Sequence, residues 1–389
     1  MNDGDMNILI THPRLFSGGS EARALWAAQA LKNEHKVTLM TGEGADLERL
    51  NMIYGTELST DDIEVIEGGL PRWLKNLHVG DALRGAFFHR WLGRNVKGYD
   101  LVLSTYNLVD VPVPTLQFIA DFSWDDGLRQ KYHQQAGFRG VFHRQSLMRK
   151  LYLWLVKKIS GASAMRAMAL PNKVIANSWW SADLLRKRYG IECGVVYPPV
   201  VQSAIHREAD ERISRFVTIG RISPEKELEK LIDIIARVRE FGHDVSLHIV
   251  GSMDASDYCL QLLHYGKRAG KWVVFEGAKY GEEKEAFLHQ SRYGIHGCVG
   301  EAFGIAVAEM LQAGCITFAP TEGGPAEIVG DKRLLYLNED DAVEKICRVL
   351  SDESQQKDLY RQLKHRTEKY SAKQFSKQIR RLVEEWRDG

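Results

Sequence analysis

Two carboxylates and two cations stand at spacings suited to holding a charged ligand. Glu301 and Glu309 fall in the stretch VGEAFGIAVAEMLQAGCITFAPTEGGPAEIV, from Val299 to Val329. If a helix starts near Phe303, Glu301 lies in the loop before it and Glu309 more than a turn inside. The two then reach different parts of one elongated ligand and are not a paired acid and base. Ala306, Val307, Ala308, Met310 and Leu311 flank Glu309, so its carboxylate would be buried at some cost unless it binds something. Ribose hydroxyls are one natural partner, by analogy with the acidic residue of dinucleotide sites, and backbone N–H groups are the other. Gly323-Gly324 precedes a second helix start, and helix N-termini beside Gly-opened backbone offer N–H groups to an anion.

Arg221 and Lys226 lie in the loop RISPEKE, which follows the strand RFVTIG. Five apart across a turn, both can point into one cleft and offset the charge of a diphosphate leaving group. The competing reading is a pair of surface salt bridges with Glu225 and Glu227. Gly18-Gly19 follows the first apolar strand, NILIT, at the edge where parallel sheets bind ligands. A tight turn needing positive φ would explain the same glycines. Asp121-Phe122-Ser123-Trp124 closes the strand TLQFIA (Thr115 to Ala120) at an equivalent edge.

The elements that must hold these residues follow a regular grammar. NILIT, a helix from Glu21 to Asn33 and the strand KVTLMTG open a parallel βαβ unit. Strands continue at IEVIEG, DLVLST, TLQFIA and KVIANS, the last leading into the helix SADLLRKRYG, capped by Ser181. GVVY then meets Pro198-Pro199, which continues neither a helix nor a central strand. Pro198 to about Ser214 is polar and reads as a boundary. The grammar restarts at RFVTIG and runs through LEKLIDIIARVREFG, DVSLHIVG, a helix near Tyr258 to Ala269, WVVFEG and EEKEAFLHQS. Two doubly wound, Rossmann-like α/β domains facing an interdomain cleft are expected, over 1–198 and 199–371. The last helix, about 372–389, is expected to pack back on the first domain.

Composition sets outer bounds. The 389 residues suffice for two domains, and 44% hydrophobic with 26% charged residues is globular. A net charge of +1 does not suit nucleic acid as a partner. Between Gly137 and Gly190, however, eleven Lys or Arg face one acidic residue, Asp183. Within it, HRQSLMRKLYLWLVKKISG (His143 to Gly161) has an apolar stripe of Leu147, Leu151, Trp154 and Leu155, with Arg149, Lys150, Lys157 and Lys158 elsewhere on its surface. Such a segment is either a packed helix with a solvated basic side or a peripheral contact with an anionic membrane face. Cys193, Cys259, Cys298, Cys315 and Cys347 form no C-x-x-C pair, which points to a reducing compartment and away from structural zinc. No signal peptide or membrane-spanning run is apparent, so a cytoplasmic chain is expected, with peripheral contact at the inner membrane face under the second reading. Asp3-Gly4-Asp5 precedes the first strand and is not read as a metal site.

GRISPEKELEKLIDIIARV and GEAFGIAVAEMLQAGCITFAPTEGGPAEIV resemble the nucleotide-binding half of the GT-B glycosyltransferases, in particular the retaining family 4 (glycosyl transferases group 1). Glu301 to Glu309 matches that family's E-x7-E motif, and Gly323, Gly324, Glu327 and Val329 match its Gly-Gly-x-x-E-x-V stretch. Gly18-Gly19-Ser20-Glu21 is similar to its Gly-Gly-x-E loop. KVIANSWWSADLLRKRYGIECGVVYPPV resembles the family's approach to its interdomain linker, and its Tyr-Pro-Pro is similar to that of a mannosyltransferase branch acting on lipid-linked oligosaccharide. The resemblance is strongest from Ser214 to Gly330 and weaker from about Ile53 to Arg139.

That resemblance implies roles. Arg221 and Lys226 would bind the donor diphosphate, Glu309 the ribose, and Glu301 the hydroxyls of the donor sugar. Backbone N–H groups at Phe303, Gly304 and Ile305 would meet the sugar or phosphate, and Lys279-Tyr280 would lie by the nucleobase. Gly18 and Gly19 would let their loop approach the phosphates. Asp121 stands where many members direct a His at the sugar, a departure that bears on donor-sugar identity. Transfer with retention passes through an oxocarbenium-like centre, so catalysis is mostly positioning and charge stabilisation. No cofactor and no metal is then required beyond the nucleotide-diphosphate sugar donor. The acceptor would be a glycan, a lipid-linked sugar or a small molecule. A sugar-nucleotide epimerase or phosphorylase of the same fold, and a catalytically silent partner subunit, are the alternatives. A glycosidase fits less well, because Glu301 and Glu309 flank a helix start and do not face each other across a sugar.

Overall fold

The computed structural model describes residues 5–16, 18–75, 80–132, 147–201, 212–364 and 366–388. The first part of the basic segment, 137–146, and most of the polar boundary, 202–211, lie outside the described residues. The chain divides into two compact units, one of 1–126, 135–199 and 372–389, the other of 127–134 and 200–371.

Among the described residues the first unit holds seven parallel strands: β1 (Asn7–His12), β2 (Lys36–Thr41), β3 (Glu64–Glu67), β4 (Leu101–Ser104), β5 (Thr115–Phe118), β6 (Lys173–Ala176) and β7 (Gly194–Val195). Their order is β3-β2-β1-β4-β5-β6-β7. Side chains along β1 alternate between two cores, which is why the strand reads as continuously apolar. Ile8 and Ile10 join the core that holds the helix Gly19–Leu31, while Leu9 joins Met40, Phe88, Leu92 and Val102 on the other. The helix Ala372–Arg387 lies against the first of these cores through Phe375, Ile379 and Val383, spaced four apart on one face. Arg380 Nε also donates to the carbonyl of Ala30 at 2.9 Å.

The second unit carries β8 (Ile213–Ile219), β9 (Ser246–Val250), β10 (Val273–Gly277), β11 (Ser291–Ile295), β12 (Ile316–Pro320) and β13 (Leu335–Tyr336), in the order β10-β9-β8-β11-β12-β13. The pairings are again parallel. In both units the order reverses beside the first strand, at β1/β4 and at β8/β11. Loops leaving the carboxyl ends of those strand pairs open a crevice.

Several local expectations change. β11, SRYGI, was not expected as a strand, nor were the helices Leu47–Tyr54, Arg72–Lys75 and Asp81–Asn95 as helices. The helix expected to be capped by Ser181 is Trp179–Tyr189, and its cap is Ser178, whose side chain accepts from the Ser181 N–H. Both are serines three apart, so the capping pattern alone misplaced the start by one turn. On the helix Leu147–Ser160, three residues of the expected stripe, Leu151, Trp154 and Leu155, are exposed, while Tyr152, Leu153, Val156 and Ile159 are half-buried. Among the described residues no helix is long and apolar enough to cross a membrane.

Candidate functional site

At β8/β11 two of the second unit's candidate residues, Lys226 and Glu301, come together. After β8 the chain makes a short 3-10 turn, Pro224–Lys226, and Glu227 then takes φ 53°, a left-handed conformation uncommon for a residue with a Cβ. That reversal starts the helix Leu228–Glu240 and leaves Lys226 facing the loop after β11. Lys226 Nζ donates to Glu301 Oε1 at 3.0 Å, across 75 positions of chain. The other carboxylate oxygen lies 2.5 Å from His296 Nε2. His296 is fixed through its backbone, donating to Phe318 O at 2.9 Å and accepting from the Tyr336 hydroxyl. Thr218, Gly220, Arg221, Lys226 and His296 line a small cavity here.

Burial alone would raise the Glu301 carboxyl, but Lys226 and then His296 hold it well below the usual carboxylate range. Burial likewise works against the Lys226 ammonium, and Glu301 more than reverses it, so its pKa is raised. The two groups therefore form a charged pair throughout the neutral range. Sequence reasoning missed His296. The signal was available, because a His five residues ahead of Glu301 can share its loop, but only the strand β11 brings the ring to the carboxylate.

Arg221 behaves differently from Lys226. Its side chain is 72% exposed and bonds Glu225 at 3.3 Å, so one half of the surface-salt-bridge reading holds for Arg221 and fails for Lys226. The reason is reach: Arg221 lies before the 3-10 turn, and Lys226 at its end.

Glu309 sits within the helix Ile305–Gln312, and Glu301 in the loop before it. The protein group that meets the Glu309 carboxylate is a lysine side chain. Lys284 Nζ, from the helix Gly281–Gln290, donates to its Oε1 at 2.6 Å. Lys279 and Tyr280 precede that same helix; Lys279 bonds Glu283 at 2.8 Å, and Tyr280 is half exposed. Phe303 is buried, Gly304 takes φ 99° as N-cap, and Ile305 begins the helix, whose first N–H groups have no intrahelical acceptor.

His296, Cys298 and Glu301 each offer one ligand atom within 4.8 Å of the others, and are the residues that could hold a metal ion among those described. The Lys226 ammonium already stands on the carboxylate and repels a second cation. Burial, aided by Glu301, pushes the Cys298 thiol up to about 12, so it stays protonated.

In the first unit, Gly18 and Gly19 open the helix Gly19–Leu31. Gly18 is extended, with φ −164°, so positive φ does not explain it. Its N–H donates to the Tyr54 hydroxyl at 2.7 Å, and a Cβ placed on it would stand 2.7 Å from Glu21 Oε2. Asp121 accepts from Asn107 Nδ2 and the Ser123 N–H, each at 2.9 Å, and from the Tyr106 hydroxyl at 3.4 Å. Asn107 takes φ 65°, a strained position that aims its amide at Asp121.

His12, at the end of β1, is 2% exposed. Its Nε2 stands 4.0 Å from Glu21, and burial lowers its pKa from 6.5 to about 4. Unfolded, the ring takes a proton as pH drops through 6.5; folded, it resists until about 4. Stability is thus lost as pH falls across that window, by about 2 kcal/mol between roughly pH 7 and pH 5. Unfolding curves at the two pH values check this, and His12→Asn should show a smaller drop.

Residues 205–370 match the family described as Glycosyl transferases group 1. The chain is 22% identical to the GDP-Man:Man(3)GlcNAc(2)-PP-Dol alpha-1,2-mannosyltransferase of Dictyostelium discoideum, over 97% of this chain and 84% of that relative. Among solved structures, WaaG, a glycosyltransferase involved in lipopolysaccharide biosynthesis, superposes with a TM-score of 0.70 at 15% identity, covering 95% of this chain and 98% of that one. Anabaena HepE, in complex with UDP and glucose, gives 0.69 at 16% identity, over 97% and 99%.

Proposed function

We propose that this chain, a group 1 glycosyltransferase with the GT-B fold, moves a hexose from a GDP-linked donor to a hydroxyl of a membrane-linked glycan. Mannose is the first candidate sugar, and the anomeric configuration is retained. One observation carries the reading: a flexible ammonium, Lys226, held on a fixed carboxylate, Glu301, at the switch point of the second unit's sheet. The pair offers a cation for a diphosphate and a carboxylate for sugar hydroxyls within one crevice. The Dictyostelium relative, named for a GDP-Man donor and a PP-Dol-linked acceptor, supports the choice of base, sugar and acceptor class.

In this reading Lys226 takes the diphosphate, and Arg221 swings in from the surface to join it. Glu309 and Lys284 hold the ribose, Lys279 and Tyr280 flank the base, and Glu301 meets the sugar hydroxyls. The N–H groups of Phe303, Gly304 and Ile305 face the sugar or phosphate. The bond from the anomeric carbon to the diphosphate oxygen breaks, and the acceptor oxygen bonds that carbon from the same face. The acceptor's proton leaves on the departing phosphate. Positioned cations stabilise the charge that develops, so neither metal nor cofactor is needed. A thermal-shift panel of GDP, UDP, ADP and dTDP with their sugars tests the donor, followed by turnover and NMR of the product anomer. Stabilisation by none of them would sink the reading.

We further propose that the enzyme sits at a membrane surface. Leu151, Trp154 and Leu155 are exposed on the helix Leu147–Ser160, with Lys150, Lys157 and Lys158 exposed beside them and Lys158 5.1 Å from the Trp154 ring. An apolar face bordered by lysines suits an anionic lipid surface. Co-sedimentation with anionic liposomes at low salt is expected, and replacing Trp154 and Leu155 with Ser should abolish it. Equal pelleting with and without vesicles would count against the contact.

A further inference from the structure

A donor diphosphate competes with the Glu301 carboxylate for the Lys226 ammonium, whose Nζ stands 3.0 Å from Glu301 Oε1. Its side chain is 20% exposed and that of Glu301 24%, so the pair is largely withdrawn from water. If the donor takes Lys226, as in the reading above, Glu301 loses the counter-charge that keeps it ionised. A charge left unpaired in such a place is strongly unfavourable, and that penalty would weaken donor binding.

His296 stands on the other oxygen. Its Nε2 is 2.5 Å from Glu301 Oε2, and its side chain is 2% exposed. Where Lys226 has a four-carbon stem and can turn toward a ligand, His296 is held by its own backbone, between Phe318 O and the Tyr336 hydroxyl. The longer, partly exposed Lys226 side chain can therefore turn away from Glu301 more readily than the buried His296 ring.

We propose that His296 is the standing partner of Glu301, which lets Lys226 pass from the carboxylate to the donor diphosphate. His296 is in this sense a positioning residue. It keeps the Glu301 carboxylate charged and oriented toward the sugar while its first counter-ion is handed over. The inference rests on the proposed donor site and assigns a role within it.

Calorimetric titration of the full chain with GDP, with UDP as a second probe, separates the possibilities. His296→Ala should weaken GDP about tenfold or more, less than the full effect of a stranded buried charge because Glu301 keeps some solvent. Glu301→Gln alone should bind GDP at least as tightly as wild type, since Lys226 is then released. The double variant His296→Ala/Glu301→Gln should recover the lost affinity, because no charge remains to strand. Should His296→Ala fail to fold, His296→Gln, which keeps an N–H donor, should show a smaller loss that Glu301→Gln again restores. Unchanged GDP binding in His296→Ala overturns the proposal. So does a loss that Glu301→Gln does not repair, which would mark a merely structural histidine. Lys226→Ala binding GDP like wild type would bring down the donor site itself; a loss there alone leaves that site standing and removes only the role of His296.

Discussion

Lys226→Ala lowers turnover of the nucleotide-sugar donor by roughly ten- to a hundredfold while the protein stays folded. One charge-assisted hydrogen bond is worth about 1.5–3 kcal/mol, and a diphosphate leaving group needs that charge most as it departs. Glu301→Ala should lower turnover by a similar factor for a different reason, since it removes a grip on the sugar and leaves the cation in place. The two are separable in steady-state kinetics. The lysine variant should lose both donor KM and kcat, and the glutamate variant mainly kcat. Melting curves establish that each is folded. Wild-type rates in both variants would end the site assignment.

Gly324→Ala should cost both stability and activity. Gly324 begins the helix Gly324–Val329, and a Cβ on it would stand 2.5 Å from Ala302 O, 2.6 Å from Phe303 Cα and 2.7 Å from Phe303 O. These are main-chain atoms, so no side chain can swing aside. The same loops are stitched by Gly324 N–H to Glu301 O at 2.8 Å and Gly300 N–H to Glu322 O at 3.0 Å. A methyl group there pushes directly on the loop that carries Glu301. Overpacking of this kind costs about 1–3 kcal/mol, and turnover measured well below the melting point should fall further than stability alone predicts. Gly18→Ala is the internal contrast. Its new Cβ comes nearest to the Glu21 side chain, which can move, so a milder effect is expected. A Gly324→Ala enzyme with wild-type melting and turnover would show that the close approach is dispensable.

Much of the fold was readable because parallel strands covered on both faces announce themselves as apolar runs. NILIT, KVTLMTG, RFVTIG and CITFA all sit in or against β1, β2, β8 and β12. β11 gave no such signal. It begins with Ser291 and Arg292, and the buried Ser291 is satisfied by the Arg215 guanidinium from β8, 76 residues earlier in the chain. A strand whose polar residues are answered by another strand cannot be found from its own pattern.

The amino-acid sequence by itself determined the two doubly wound units, the loops at their strand ends, and the separation of Glu301 from Glu309 by a helix start. Periodicity and glycine placement are local, and these features depend on nothing else. Tertiary structure alone decided who partners whom. Pairing of β8 with β11 carries Lys226 to Glu301 and sets His296 on the carboxylate's other side, while Arg221 turns to Glu225 and Lys284 takes Glu309. Such pairings depend on sheet order and side-chain reach, which residue spacing does not encode.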